Sequence, residues 1–283
     1  DGSFDWDVGI SRIVWGKFLN CGQTCVAPDY ILLDKKVDPK EFAAKLTAKI
    51  DSFFVQTSTD KSDIKNCVHY GRIINENHTK RLAATIQEQK DKGAEILYGG
   101  EVDVDDHYVQ PTIVLNPALD SKLMTEETFG PILPILQIED HNAAIDFINA
   151  RDNPLALYIY SSNEKVQNDI IRRTSSGGVG VNDCVVHIIS PFIPFGGKGA
   201  SGMGKYNGKW SFDTFTHEKS VLIKTASMDL DIRYPPYTTG KMDLIRRAYS
   251  LLNSIRGIFG AATTMGSYLW GAGNKDSSSS PSN

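Results

Sequence analysis

Hydrophobic positions along the chain switch repeatedly between a helical and a strand-like period. Val8, Ile10, Ile13, Val14, Phe18 and Leu19 follow the helical period over residues 5–19, and Gly22 ends that run. Tyr30-Ile31-Leu32-Leu33, set between Pro28 and a charged cluster, predicts a buried strand. Residues 39–54 predict a helix, with Pro39 suited to its first turn and Phe42, Leu46, Ile50 and Phe53 along one side. After a polar loop over 57–66, residues 77–92 repeat the helical pattern through Leu82, Ile86 and Gln89, with Gly93 placed to cap it. Strands follow at 94–98, closed by Gly99-Gly100, and at 108–115, where Pro111 marks an edge or an irregular start. An acidic helical segment at 118–127 leads to a strand at 131–137, a helix at 142–150, a strand at 155–160, a helix at 164–173 and a strand at 178–181. Strands alternating with helices in this way predict α/β architecture with a largely parallel sheet.

The texture changes at Pro191. Residues 191–208 are rich in Gly and Pro and contain a formal G-x-G-x-x-G match from Gly197 to Gly202. A dinucleotide fingerprint needs a strand before it, a helix after it and an acid further on. Here Pro191 and Pro194 precede it and no long helical pattern follows, so a glycine-rich loop is expected. Residues 211–224 alternate through Phe212, Thr214 and Thr216 to Val221-Leu222-Ile223, predicting a long strand or a strand pair. Residues 242–259 place Leu244, Ile245, Leu251, Leu252, Ile255 and Phe259 among Lys241, Arg246, Arg247 and Arg256, a basic amphipathic helix. Residues 257–274 are free of charge but diluted by glycine, which leaves open spanning a membrane, lying on its surface, or docking on a partner subunit. The expected organisation is a catalytic α/β domain over 1–190, a Gly/Pro-rich closing segment with oligomerisation strands over 191–240, an amphipathic tail over 241–276 and a disordered end over 277–283.

Composition narrows the classes. The 283 residues are 41% hydrophobic and 23% charged, enough to bury a substantial core. A net charge of −4 gives no electrostatic case for nucleic acid as a partner. Four unevenly spaced cysteines are unlike a secreted disulfide framework, so free thiols in a reducing compartment are expected. Residues 1–11 are acidic and polar, without the apolar core of a signal peptide. The chain opens at Asp1, and a piece of a longer polypeptide is the expectation. The six histidines are scattered, and no metal site is expected.

One stretch carries candidate chemistry: Asn20-Cys21-Gly22-Gln23-Thr24-Cys25-Val26-Ala27. A thiol where a helix breaks at glycine and the chain re-enters a sheet is held by backbone on both sides. That setting suits a thiolate nucleophile; on its own, a cysteine there also fits a passive core thiol. Cys21 is expected to pack nearby, and Cys67 and Cys184 to be structural. Glu126 and Glu127, without further context, are a solvated acidic turn.

Gly22 through Tyr30 resembles the active-site cysteine motif of the aldehyde dehydrogenase superfamily in its class 3, fatty-aldehyde-dehydrogenase-like form. Tyr70-Gly71-Arg72-Ile73-Ile74-Asn75, Glu126-Glu127-Thr128-Phe129-Gly130-Pro131, the Pro194–Gly204 segment with Lys209 and Ser211-Phe212, and Tyr234-Pro235-Pro236 are similar to further class 3 segments in the same order. The likeness covers roughly residues 5–240. It implies an α/β catalytic domain in which Cys25 attacks an aldehyde carbon, a hydride passes to NAD or NADP, and water hydrolyses the thioester. The backbone N–H of Cys25 would be one donor to the oxyanion. Glu127 would hold the nicotinamide ribose hydroxyls and Phe129 would pack near the nicotinamide. The resemblance further implies a homodimer and, with the basic tail, medium- or long-chain lipid-derived aldehydes. It places the protein in the cytoplasm, with possible membrane-surface association at the endoplasmic reticulum or another intracellular membrane. The family's general-base glutamate, oxyanion asparagine and most of its cofactor domain lie upstream of the cysteine helix, and Asp1-Gly2-Ser3-Phe4 does not match them. Two expectations compete: part of a full enzyme, or an inactive truncated subunit acting as a dimerisation or membrane-surface module. A cofactor-free thiol esterase is a third. NAD and NADP are not distinguished.

Overall fold

β6 (Ile132–Ile138) is the strand around which the main sheet is built. Its residues from Ile132 to Leu136 are all buried, which explains its continuous apolar run: a strand covered on both faces needs apolar side chains at every position. β1 (Ile31–Asp34) and β5 (Thr112–Leu115) flank it, both parallel, with Ile31 opposite Ile135 and Thr112 opposite Ile132. β2 (Glu95–Tyr98) adds antiparallel to β5, giving the order β1-β6-β5-β2. β3 (Val102–Asp103) and β4 (Tyr108–Val109) form a small antiparallel pair, and β7 (Ala156–Ile159) and β8 (Gly178–Val181) a separate parallel pair. The computed structural model describes residues 1–55, 61–227 and 229–272. Two compact units are distinguished, the first Asp1–His217 and the second beginning at Glu218.

The helices of the first unit are α1 (Trp6–Phe18), α2 (Pro39–Phe54), α3 (Glu76–Asp91), α4 (Lys122–Thr125), α5 (His141–Asn149), α6 (Glu164–Arg173) and α7 (Gly208–Phe215). Short polar side chains start them. Asp38 accepts from the backbone of Lys40 and Glu41, Asn75 from His78 and Asn163 from Lys165, each satisfying an orphan N–H at a value of about 1 kcal/mol. Gly93, in the left-handed region at φ +80°, follows α3 as expected of a C-cap. α2 buries Phe42, Leu46 and Ile50 against the main core, at roughly 1.5–3 kcal/mol per side chain.

Two expectations are corrected. The run 108–115 is not one strand: Pro111 has no N–H for a ladder, and the chain breaks there, with β4 pairing to β3 and β5 entering the main sheet. The alternation over 211–224 does not make a strand either. Gly208–Phe215 is α7, and residues 218–225 join no ladder among the described residues. The Ser211 hydroxyl accepts from the Asn207 N–H, tightening the turn that starts this helix, and Phe212 and Phe215 fall three apart, neighbours on a helix that a strand would send to opposite faces. The second unit contains α8 (Thr239–Ala272), which includes the expected amphipathic segment. Among the described residues no helix is long and apolar enough to cross a membrane. The polar loop expected at 57–66 falls partly, and the end at 277–283 wholly, outside the described residues.

α1 buries a charge. With Ile10, Ile13, Val14 and Phe18 it carries Lys17 fully inside, and the ammonium has no hydrogen-bond partner among the described residues. Burial pulls the Lys17 pKa from 10.5 down to about 8, and the Asp29 carboxylate opposes the fall. A drop of that size is worth about 3 kcal/mol against the charged form. Below pH 8 both folded and unfolded states carry the proton and the penalty is constant. From there to 10.5 the unfolded state holds a proton that the folded state has released, so stability rises with pH. Denaturant titrations across that window are expected to show the gain in the native sequence, and Lys17→Met is expected to remove it.

Candidate active site

The cysteine loop begins where α1 ends. Leu19–Gly22 form a single 3-10 turn in which Asn20, Cys21 and Gly22 all take left-handed backbone angles, with φ of 52°, 55° and 73°. For the two non-glycine residues this costs about 1–2 kcal/mol each. The Gln23 side chain holds the turn in place. Its Nε2 donates to the carbonyls of Asn20 (3.1 Å) and Arg72 (3.0 Å), and its Oε1 accepts from the Ile74 N–H at 2.9 Å. Asn20 answers by donating to the Gln23 carbonyl at 3.1 Å. Gly22 has a second duty besides ending the helix. A Cβ there would collide with the Gly130 carbonyl oxygen and lie 3.1 Å from that of Lys17, so only glycine lets the two loops touch.

Beyond this anchor, a turn closed by the Ala27 N–H on the Thr24 carbonyl (2.9 Å) presents Cys25 to solvent. Val26 pins the other side: its side chain is buried with Cys184 and Val185, and its carbonyl accepts from the Tyr158 hydroxyl at 2.7 Å. The buried thiols are different in kind. Burial pushes Cys21 up to about 11, despite the Tyr70 hydroxyl and the Arg72 guanidinium, and pushes Cys184 up to about 11 as well. Cys184 donates to the Arg12 carbonyl at 3.1 Å. Both are neutral thiols at physiological pH, which leaves Cys25 as the exposed thiol on this loop.

The second candidate segment docks on the first. The Asp29 carboxylate, four residues after Cys25, accepts from the Thr128 N–H at 3.3 Å, and Arg81 of α3 donates to the Thr128 carbonyl at 2.7 Å. Thr128 is thus held through its N–H and through its carbonyl, in two successive peptide groups. Glu127 precedes it, and burial, then the nearby Asp29 charge, lift its carboxyl above the usual range while Arg81 opposes. Cys25 and Glu127 line one cavity of about 630 Å³. Phe129 does not line it; that side chain is 41% exposed, on backbone at φ +42°. Gly197–Gly202 forms a loop with one 3-10 turn at Gly199–Ser201 and no flanking strand and helix of the fingerprint kind, while Ala200 and Ser201 reach the cavity wall. Among the described residues no His/Cys/Asp/Glu cluster fits a metal ion. Sequence reasoning gave no part to Lys17, Asp29 or Arg81. An acid at fixed distance after the cysteine was the one signal available.

Residues 2–221 match the model of the aldehyde dehydrogenase family. The chain belongs to that family. It is 45% identical over 238 residues to rat "Aldehyde dehydrogenase, dimeric NADP-preferring", covering 83% of this chain and 50% of the relative. It is 44% identical over 244 residues to mouse "Aldehyde dehydrogenase family 3 member A2", covering 86% and 48%. Among solved structures, the substrate-bound Staphylococcus aureus AldH superimposes with a TM-score of 0.76 at 40% identity, covering 88% of this chain and 52% of that one. This aldehyde dehydrogenase chain therefore spans about half the length of the curated relatives it matches.

Two outcomes are expected. Gly22→Ala should lose roughly 2–4 kcal/mol, read by thermal or denaturant unfolding, because strain at positive φ adds to the collision with Gly130. Limited iodoacetamide labelling near neutral pH, mapped by mass spectrometry, should modify Cys25 well before Cys21 or Cys184.

Proposed function

We propose that this chain is the cysteine-bearing part of an NAD(P)-dependent aldehyde dehydrogenase that oxidises aldehydes to carboxylic acids. The observation that carries the reading is an exposed Cys25, fixed by Gln23 on one side and Val26 on the other, on the wall of a cavity it shares with Glu127. As thiolate, Cys25 attacks the aldehyde carbon to give a thiohemiacetal, and its own backbone N–H serves the developing oxyanion. Loss of hydride leaves a thioester on Sγ, and attack by water on that carbonyl releases the acid and the thiol. NAD(P)⁺, when bound, supplies the hydride acceptor. Of the residues present, Glu127 fits the nicotinamide ribose: a carboxylate accepts from two vicinal hydroxyls, and the Asp29 and Arg81 clamp on Thr128 fixes the peptide that follows it. Phe129, on the same loop, is assigned to the nicotinamide ring.

Medium- and long-chain aldehydes are the assigned substrates, supported by the class 3 likeness of the motifs and by the apolar residues that line the cavity. A homodimer is the assigned assembly, since one relative is named dimeric. Residues 191–240 are assigned to closing the site and to that assembly. α8, which carries Arg246 and Arg247, is assigned to a membrane surface.

The test uses the protein extended to the length of its relatives. Aldehyde-dependent NAD(P)H formation with decanal should fall at least about 10³-fold in Cys25→Ser. In Glu127→Gln, KM for the dinucleotide should rise more than KM for decanal. Turnover unaffected by Cys25→Ser would sink the reading.

A further inference from the structure

The turn that carries Cys25 is held at one peptide group. The Ala27 N–H closes the turn on the Thr24 carbonyl, and the Val26 carbonyl, on the same Val26–Ala27 peptide, accepts from the Tyr158 hydroxyl. That peptide is fixed at both of its polar ends. The hydroxyl makes a second bond, which the cysteine loop does not explain: it accepts from the Val185 N–H at 3.1 Å. An N–H can only donate and a carbonyl can only accept, so the phenol hydrogen is committed to Val26. Burial, with smaller contributions from Cys184, Cys25 and Asp183, pushes the Tyr158 pKa up while the Val185 N–H opposes, so the hydroxyl keeps that hydrogen. Val185 N–H, Tyr158 O–H and Val26 C=O therefore form one chain in which each bond polarises the next.

The far end of that chain is strained. Val185 sits at φ +64° and ψ −49°, and the Val186 N–H reaches back to the Cys184 carbonyl at 2.7 Å. This is the rare form of the three-residue turn, and a β-branched residue at positive φ is an outlier. Such a conformation persists only where its surroundings over-determine it. Here they do. The Cys184 N–H donates to Asp183 Oδ1 at 2.8 Å, and the Cys184 thiol donates to the Arg12 carbonyl. The Val185 side chain is buried with Val26. α1 presses on the turn at Gly16, where a Cβ would collide with the Cys184 sulfur. The helix leading into the cysteine loop and the chain leaving β8 thus meet at this turn. The Tyr158 ring is held too. His187 stands edge-on to it, 5.7 Å between centroids, and edge-on to Phe195 of the Gly/Pro-rich segment at 6.0 Å.

We infer that Tyr158 is a positioning residue for the reaction at Cys25: its hydroxyl carries the fixed geometry of the Val185 turn to the Val26–Ala27 peptide and so sets where the Cys25 sulfur and N–H point. This role rests on the reading of Cys25 as the nucleophile. The hydroxyl acts through the loop, because its hydrogen is already given to Val26.

The test compares Tyr158→Phe with Tyr98→Phe, which deletes a hydroxyl bonded to Asp51 from β2, at the edge of the main sheet opposite β1. In the protein extended to the length of its relatives, kcat for decanal per folded molecule should fall at least about tenfold in Tyr158→Phe, with KM for the dinucleotide unchanged, and should hold its native value in Tyr98→Phe. In the present chain, the Ala27 amide should exchange at least about tenfold faster in Tyr158→Phe, with the amides of β6 unchanged. A second variant, Tyr158→p-aminophenylalanine, keeps a weaker donor to Val26 without emptying the site. It should give intermediate kcat and intermediate Ala27 exchange, whether or not the phenylalanine variant folds. Native kcat and native Ala27 exchange in either variant at position 158 would overturn the inference. Failure of the nucleophile reading shows separately, as native turnover that survives Cys25→Ser, and leaves Ala27 exchange to decide whether Tyr158 sets the loop.

Discussion

The constraint on which the site depends is the contact of two backbones at Gly22 and Gly130. Neither position has room for a side chain: a Cβ at Gly22 meets the Gly130 carbonyl, and one at Gly130 meets Leu82 of α3. Because the loops meet through backbone, their spacing is set by van der Waals contact and is insensitive to rotamers. Asp29 on the Thr128 N–H, and Arg81 on the Thr128 carbonyl, then lock the orientation. Cys25 and Glu127, 102 positions apart by their numbering, share one wall because glycine meets glycine.

The buried charge at Lys17 belongs to the same neighbourhood. Its carbonyl faces Gly22, and its ammonium offsets the Asp29 carboxylate that holds Thr128. A buried cation without a hydrogen bond destabilises the fold, and a hydrophobic side chain of similar size would pack there at lower cost. What the lysine contributes is a positive potential near Asp29, whose own charge raises the Glu127 carboxyl on the docked segment.

Much of the fold was legible where capping and period agreed. Residues 39–54 and 164–173 form helices at the expected bounds because Asp38 with Pro39, and Asn163, mark their starts chemically. Period alone did worse. It ran β4 and β5 together, since apolar residues continue across Pro111 while the partners change sheet. It also took Phe212, Thr214 and Thr216 for a strand, whereas the bond from the Asn207 N–H to the Ser211 hydroxyl starts a helix that ends at Phe215. In the site, Cys25 and Glu127 were legible from their motifs. Asp29, Lys17 and Arg81 were not, because each acts through space: Asp29 and Thr128 are 99 residues apart.

Gln23 carries one more consequence. Its amide uses both of its functions, two bonds given through nitrogen and one taken through oxygen. Glutamate matches it in shape to within one atom, yet a carboxylate has no hydrogen to give. Hydrolysis of this single amide, a chemical ageing that leaves volume and packing untouched, would turn two carbonyls toward a negative oxygen and release the left-handed turn beneath Cys25. The loop is thus specified by where hydrogens are as much as by where atoms fit, and the lifetime of one amide bond limits how long it stays so.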